Sequence, residues 1–213
     1  MESRAIKIYA PLNKKIAMKI IPGHFATSNS HINQYIDLTT MKTRISEAAE
    51  AARILSKQYV NSTIVDTIVC LDGCEVVGAF LAQELTNAGI GSMNRHQTIY
   101  IITPEFNTTG QMIFRNNNQP AVYNKNILLL AASATTGDTL RRSLECIQYY
   151  GGIIQGISAI FSAVDTIDNI QVHSIFREKD IPDYKSYMVG ECPMCKANQR
   201  LEAIVNGNGY MKL

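Results

Sequence analysis

The chain has 213 residues, of which 46% are hydrophobic and 18% charged, with a formal net charge of +2. This composition is typical of a soluble globular protein with a sizeable core. The small net charge and the lack of a basic block argue against a nucleic-acid partner. No apolar run reaches the length of a membrane span and no signal-peptide core is present, so a cytoplasmic protein with no membrane partner is expected. Five cysteines, an odd number, fit a reducing compartment better than a disulfide framework.

The first part of the chain predicts short strands, a polar segment and one helix. Residues 5–9 and 16–21 are strand candidates, separated by breaks at Pro11 and Pro22. Residues 24–37 are rich in short polar groups and predict either a loop with binding capacity or an extended edge. Apolar residues then recur at helical spacing and predict an amphipathic helix over residues 42–58.

A first strand–turn–helix unit follows. Residues 64–71 predict a buried strand, and the turn that begins at Asp72 leads into a helix over residues 75–88 that Gly89 closes. Residues 98–103 predict a third strand. The polar residues 104–118 predict a mobile loop, with a short strand at residues 111–115.

The second strand–turn–helix unit, residues 126–150, is the most informative stretch of the chain. An apolar run at residues 127–132 precedes a turn of small residues and a helix that Gly151 and Gly152 end. The N–H groups at a helix start lack partners and the helix dipole is positive there, so the unit predicts a phosphate site. The alternative is an ordinary turn with a Thr cap. The spacing matches neither the Walker pattern nor the dinucleotide fingerprint. The predicted phosphate-binding residues are Ser133, Ala134, Thr135, Thr136, Gly137, Asp138 and Thr139.

The alternation of strands and helices predicts the overall architecture. With further strands at residues 153–164 and 171–176, it indicates an α/β fold with a doubly wound, mostly parallel sheet and helices on both faces. Ligands in such sheets bind beyond the carboxyl ends of the strands, where the turns at Asp72 and Ser133 are both expected. We predict a hood segment at residues 1–40, an α/β core at 41–180, and a C-terminal tail or hood at 181–213.

Several segments together resemble the type I phosphoribosyltransferases, and the orotate phosphoribosyltransferases in particular. The Thr-Thr-Gly-x-Thr-Leu turn, its flanking strand and its helix resemble their phosphoribosyl-diphosphate motif. Residues 24–37 resemble the N-terminal segment of the orotate enzymes, residues 68–82 their diphosphate loop and its helix, and residues 104–110 their mobile loop. The resemblance implies transfer of phosphoribosyl from phosphoribosyl diphosphate to a base, Mg²⁺ as cofactor and a homodimer. It assigns Asp72, Gly73, Cys74 and Glu75 to the diphosphate loop, and Ser28, Asn29, Ser30 and His31 to a surface facing the base.

The chain departs from the family pattern at three places. Ala131 and Ala132 stand where the family has two acidic residues that bind the ribose hydroxyls. The loop between residues 103 and 110 lacks the basic residues that stabilise the departing diphosphate, for which Arg95 or Arg115 would have to substitute. Asp138 adds a carboxylate to the turn. Two hypotheses therefore stand: a phosphoribosyltransferase, or a catalytically impaired regulatory protein of the same fold that binds a nucleotide or sugar phosphate.

Two cysteine features carry further hypotheses. Cys192-Pro-Met-Cys195 is half of a zinc site, whose remaining ligands would come from His24, His31 or another subunit. The alternatives are free thiols or a redox pair. Cys74 in the diphosphate loop is either a nucleophile or, more simply, a small residue that fills space.

Overall fold

The computed structural model describes residues 2–87, 89, 91–95, 97–108 and 111–213. Its strands and helices, in chain order, are β1 (Ile6–Ala10), β2 (Asn13–Ala26), β3 (Ser30–Asp37), α1 (Thr39–Thr43), α2 (Ile45–Ser56), β4 (Thr67–Cys70), α3 (Glu75–Asn87), β5 (Tyr100–Ile102), β6 (Glu105–Phe106), β7 (Met112–Ile113), β8 (Asn126–Ala134), α4 (Asp138–Tyr149), β9 (Ile153–Ser162), β10 (Thr166–Ile167), β11 (Ile170–Arg177), β12 (Ser186–Met188), α5 (Pro193–Lys196), β13 (Ala203–Asn206) and β14 (Gly209–Lys212). None of the helices in these ranges has both the length and the apolar character that a membrane crossing requires.

The central sheet has the strand order β10-β11-β9-β8-β4-β5. Its strands from β11 to β5 run parallel, and β10 is an antiparallel edge. Strand β8 shows why helices cover both faces. Leu128 and Leu130 face a core that includes residues of α2 and α3, whereas Ile127 and Leu129 face a second core that includes residues of α4. The predicted doubly wound α/β fold is therefore confirmed.

A second sheet is built from both ends of the chain. Its order is β12-β3-β2-β13-β14, with β1 beside β2. The polar residues 24–37, for which the sequence predicts a loop or an extended edge, form the end of β2, a tight turn and β3. Phe25, Ile32 and Tyr35 in this segment are buried in the core beside α2 and α3, although the register shift between Pro22 and Phe25 breaks strict alternation. The C-terminal residues fold back and pair with the N-terminal strands, and the division at residues 40 and 180 stays a prediction.

The boundaries that differ from the sequence predictions include the break expected at Pro22, through which β2 continues, and three others near the candidate site. The helix expected at residues 42–58 is two helices, broken at Arg44, which has extended backbone. Strand β8 extends into the predicted turn, because Ser133 and Ala134 pair with β9. The predicted loop at residues 104–118 contains the antiparallel β6–β7 pair, and its Thr109 and Gly110 lie outside the described residues.

Candidate anion site and metal-ligand cluster

The candidate anion site lies where the direction of strand connection reverses. Strands β4 and β8 are parallel neighbours, with Cys70 opposite Leu130. The chain leaves β4 through α3 toward β5 on one side, and leaves β8 through α4 toward β9 on the other. The carboxyl ends of such strands form a crevice at a topological switch point. The turns that follow β4 and β8 meet there, and Asp72 and residues 133–137 line the same cavity of about 180 Å³.

The turn between β8 and α4 presents unpaired backbone N–H groups to this cavity. Gly137 has a left-handed backbone (φ 83°) and its carbonyl accepts the first bond of the helix, from the Arg141 N–H at 2.9 Å. The N–H groups of Thr135, Thr136 and Gly137 donate to no atom in the described part of the chain. Since the helix start is also the positive end of the α4 dipole, the turn has the geometry of an anion cradle.

Asp138 is directed away from this cradle. Its Oδ2 accepts a hydrogen bond from the Thr136 hydroxyl at 3.1 Å, and its Oδ1 pairs with Arg141 at 3.2 Å. Arg141 also pairs with Asp168. Asp138 does not line the cavity, whereas Thr136 and Thr139 on either side of it do. The carboxylate that the sequence placed among the phosphate ligands therefore lies on the outer side of the turn.

The turn after β4, the predicted diphosphate loop, is partly covered by other parts of the chain, while Gly73 and Glu75 are exposed. Asp72 and Gly73 both have left-handed backbone, at φ 56° and 76°. The Lys42 ammonium donates to the Asp72 carbonyl at 2.8 Å and to the Gly207 carbonyl. The Asp72 side chain packs against Gly207, where an added Cβ would lie 2.5 Å from its Oδ1. Burial raises the pKa of Asp72, with Lys42 opposing the shift.

The other two side chains of this loop have structural roles. Cys74 is fully buried, and burial raises its thiol pKa well above the usual value, which favours the space-filling interpretation over a nucleophile. The Glu75 carboxylate accepts a hydrogen bond from the Thr103 hydroxyl at 2.7 Å.

The carboxylates near the cavity do not fit a preformed Mg²⁺ site. Mg²⁺ is held by carboxylate and phosphate oxygens in near-octahedral geometry. Within the described residues no three carboxylates converge. Asp72 is half-buried beside Lys42 and Gly207, and Glu75 is bound to Thr103.

The predicted base-facing residues divide into two pairs. Ser28 and Asn29 form the tip of the β2–β3 turn and line the cavity. Ser30 is buried, and its hydroxyl and N–H bind the Thr27 hydroxyl, both at 2.9 Å, so it closes the turn. His31 points toward Cys195.

Two features expected of an active transferase are missing from the site. Ala131 and Ala132 are each only 1% exposed and belong to the cores on opposite faces of the sheet. Arg115 is held by the Glu105 carboxylate at 2.7 Å. Neither Arg95 nor Arg115 lines the cavity at the turns or the larger one beside it.

The larger cavity, of about 840 Å³, adjoins the first and shares Ser28, Asn29 and Thr139 with it. Arg142, at the start of the second turn of α4, is the basic residue in its lining. Of the neighbouring Arg141 and Arg142, only Arg142 lines one of these two cavities. Lys42 and Gly207 were missed, because nothing in their local sequence connects them to the turns that they cover.

Four potential metal ligands meet in the second sheet, away from the cradle. His24, His31, Cys192 and Cys195 each offer one ligand atom, and all four atoms lie within 4.8 Å of one another. His24 Nε2 lies 3.2 Å from His31 Nδ1, 3.5 Å from Cys192 Sγ and 3.6 Å from Cys195 Sγ. All five cysteines of the chain are free.

Comparison of the fold with solved structures gives a consistent result, although no protein-family model and no curated protein matches the sequence. The orotate phosphoribosyltransferase of Mycobacterium tuberculosis matches with a TM-score of 0.52 at 14% identity, over 76% of this chain and 90% of that chain. The orotate phosphoribosyltransferase of Aeropyrum pernix matches with a TM-score of 0.53 at 13% identity, over 75% and 88%. The adenine phosphoribosyltransferase of Thermoanaerobacter pseudethanolicus matches with a TM-score of 0.51 at 14% identity, over 83% and 96%. The chain therefore has the fold of the type I phosphoribosyltransferases.

Proposed function

We propose that this chain binds a phosphorylated ribose or a nucleotide at the crevice between β4 and β8, and that it does not transfer phosphoribosyl efficiently. The observation that carries the proposal is the set of unpaired N–H groups at Thr135, Thr136 and Gly137, which face the cavity while the Asp138 carboxylate faces Arg141. A phosphate on these donors would satisfy them and lie at the positive end of α4. Arg142 and the larger cavity beside it offer room and charge for the rest of a nucleotide-like ligand.

The departures from the family pattern argue for binding without efficient transfer. Each charge-assisted hydrogen bond contributes roughly 1.5–3 kcal/mol, so the absence of two ribose carboxylates removes roughly 3–6 kcal/mol of interaction. This corresponds to a loss of about 10²–10⁴ in affinity or rate. The departing diphosphate would also need cations, and Arg115 is occupied by Glu105.

Phosphoribosyl transfer from phosphoribosyl diphosphate to a base is the second candidate function. The likeness of the fold to orotate and adenine phosphoribosyltransferases favours it. Fold alone is weak support for an activity, because one fold carries many functions. On this reading Mg²⁺ would come with the diphosphate, and the homodimer that the resemblance implies would be detected by light scattering.

Calorimetric titration with ribose 5-phosphate, a nucleoside monophosphate and inorganic phosphate tests the binding proposal. Thr139→Asp adds a carboxylate to the cavity at an exposed position on the first turn of α4, where an acidic residue does not harm the helix. We expect it to weaken binding of ribose 5-phosphate more than about tenfold. The matched variant Thr139→Asn, without the charge, should bind within about threefold of the wild type. If none of the three ligands binds to the wild-type protein, the proposal is contradicted.

A turnover assay separates the two candidate functions. Phosphoribosyl diphosphate is incubated with orotate, uracil or a purine base in the presence of Mg²⁺, and diphosphate release is measured. We expect binding without turnover. Release at rates typical of enzymes, on the order of 1–10³ s⁻¹, would establish the transferase and reject the impaired protein.

A further inference from the structure

We propose that His24, His31, Cys192 and Cys195 form a structural zinc site that joins the two ends of the chain. The cluster lies in the second sheet and not in the anion crevice, and none of its four residues lines the cavity of the cradle.

The distances between the ligand atoms match those of a tetrahedral zinc site. Zinc binds sulfur at about 2.3 Å and nitrogen at about 2.0–2.1 Å, so a tetrahedral site has edges of about 3.3 Å between nitrogens and about 3.5 Å between nitrogen and sulfur. The nitrogens of His24 and His31 are 3.2 Å apart, and three of the four nitrogen–sulfur distances are 3.2, 3.5 and 3.6 Å, with all four ligand atoms within 4.8 Å of one another. Two thiolates and two imidazoles are also the donor set that selects zinc over the hard cations.

The surroundings of His24 orient its ring for coordination. Its Nδ1 lies 2.9 Å from the Gln199 carbonyl, which can only accept, so Nδ1 carries the proton and the Nε2 lone pair faces the cluster. A backbone carbonyl on the second ring nitrogen is the usual outer-shell partner of a metal-bound histidine. His24 itself is fully buried, although it is polar. The β2 register shifts between Pro22 and Phe25, and this irregularity turns His24 toward Cys192.

A network of ordinary hydrogen bonds explains the cluster less well. With its proton on Nδ1, His24 offers one lone pair at Nε2, yet three possible donors or acceptors lie within 3.6 Å of that atom. One bond at Nε2 satisfies one neighbour, and the contact of Cys195 Sγ with His31 Nδ1 at 3.2 Å can pair two more atoms, but pairwise bonds do not require all four atoms to lie within 4.8 Å of one another. A single cation at the centre satisfies all four atoms at once, and four protein ligands leave no open position, which is typical of a structural site.

The site would join segments that are far apart in the sequence. His24 and Cys192 are separated by 168 positions. The two histidines flank the β2–β3 turn, and the tip residues of this turn, Ser28 and Asn29, line the anion cavity. The two cysteines precede β13, and the end of β13 and the next residue, Gly207, line the same cavity. Zinc would therefore fix two walls of the cavity, and metal links that close long loops are expected to stabilise a fold strongly.

Metal analysis of the untagged, full-length protein tests the site. Protein purified under reducing conditions without added metal should contain about one zinc per chain. Replacing zinc with cobalt(II) should give the absorption of a tetrahedral site, with thiolate charge-transfer bands. Three results would overturn the proposal. The first is a protein that contains no zinc and also fails to bind cobalt(II), the second is a site that holds iron in place of zinc, and the third is a disulfide between Cys192 and Cys195.

Two variants assign the ligands. Cys195→Ser removes one sulfur at an exposed position, and we expect zinc affinity to fall more than about a hundredfold. Cys146→Ser is the matched control, because Cys146 donates to the Met112 carbonyl outside the cluster and its loss should leave zinc content unchanged. Full zinc content in Cys195→Ser would reject the ligand assignment, and so would loss of zinc in Cys146→Ser.

Hydrogen exchange supplies a readout that does not depend on the folding of a variant. Removal of zinc from the wild type by a chelator should raise amide exchange in residues 24–31 and 186–206, and leave the central strands β4 and β8 unchanged. Equal exchange in the zinc-loaded and chelated protein would contradict a structural role.

Discussion

The two strand–turn–helix units of the central sheet have the same local pattern but differ in how the rest of the chain contacts their turns. After β4, the Lys42 ammonium binds the Asp72 carbonyl, and Gly207 packs against the Asp72 side chain. After β8, the N–H groups of the turn meet no protein partner in the described residues and line the cavity. The helix dipole favours an anion at both helix starts. Contacts from Lys42 and Gly207, which are distant in sequence, therefore distinguish the first turn from the second.

The comparison also shows how each acidic residue is accommodated. Asp72 is turned inward, where burial raises its pKa, and Lys42 and a hydrogen bond from the Ala132 backbone oppose the shift. Asp138 is turned outward, where Arg141 and the Thr136 hydroxyl bind it. An exposed, paired carboxylate near a helix start is favourable, whereas a buried one costs stability. The open turn therefore keeps a carboxylate next to an anion cradle without placing it inside.

The largest expected effect concerns the strand that leads into the open turn. Ala131→Asp would place a carboxylate among apolar residues of the core on the α4 side. Burial of an uncompensated charge should lower the free energy of unfolding by roughly 3–5 kcal/mol. Urea denaturation measures the change.

Ala132→Asp is the matched variant, on the opposite face of the same strand. Ala132 and Lys42 line one small cavity, so the new carboxylate would lie in the neighbourhood of a cation, and the loss of stability should be smaller. Equal losses would show that Lys42 does not compensate a charge at this position. A gain in ribose phosphate binding by either variant, with stability kept, would show that the alanines are not packed as described.

The covered turn predicts a dependence of stability on pH. The pKa of Asp72 is raised in the folded state, so its protonation favours folding, and the contribution of Asp72 to stability falls as the pH rises from the unfolded pKa of about 3.9 through the folded value. Asp72→Asn should remove this fall and raise the free energy of unfolding at pH 7, by less than Ala131→Asp lowers it. Thermal denaturation across pH 3 to 8 tests the sign.

Asp183→Asn is the control for this experiment. Asp183 has the same left-handed backbone, φ 56°, but its side chain is exposed. Asn adopts this backbone as readily as Asp, so both variants leave the turn geometry unchanged. A stabilisation of the same size in Asp183→Asn would show that the effect does not arise from the burial of Asp72.

The sequence predicted the central sheet and both turns because each depends on short-range patterns. Apolar runs such as residues 127–132 identify buried strands, and Gly137 and Gly151 mark the limits of α4. The coverage of Asp72 by Lys42 and Gly207 was beyond such patterns, because it depends on packing between residues 42, 72 and 207. For the same reason the outward direction of the Asp138 side chain was not predicted. Arg141 lies one helical turn away from Asp138, but the second carboxylate that binds Arg141 is Asp168, in the loop between β10 and β11.

The metal cluster lies between these two cases. The Cys192–Cys195 spacing is a local signal for half a site, and His24 and His31 were candidate partners before the fold was known. Their convergence depends on pairing between strands from the two ends of the chain, with β13 beside β2 and β12 beside β3. The sequence therefore predicts which residue types could bind the metal, and the pairing of strands in the second sheet brings their four ligand atoms within 4.8 Å of one another.

The smallest expected effect is the most direct test of the open turn. If the Asp138 carboxylate faced a bound phosphate at about 4 Å, repulsion at an effective dielectric constant of 20 would cost about 4 kcal/mol, and Asp138→Asn would strengthen binding of ribose 5-phosphate by about a thousandfold. Because the carboxylate instead binds Arg141, we expect a change of less than about threefold, with a loss of about 0.3–1 kcal/mol in stability from the weaker interaction with the helix dipole. Asp168→Asn, which also loosens Arg141 but lies outside the cavity, is the matched control. A large gain in affinity in Asp138→Asn but not in Asp168→Asn would mean that the turn reorganises around the anion. The carboxylates of both turns, Asp138 as well as Asp72, would then repel phosphate in the free protein.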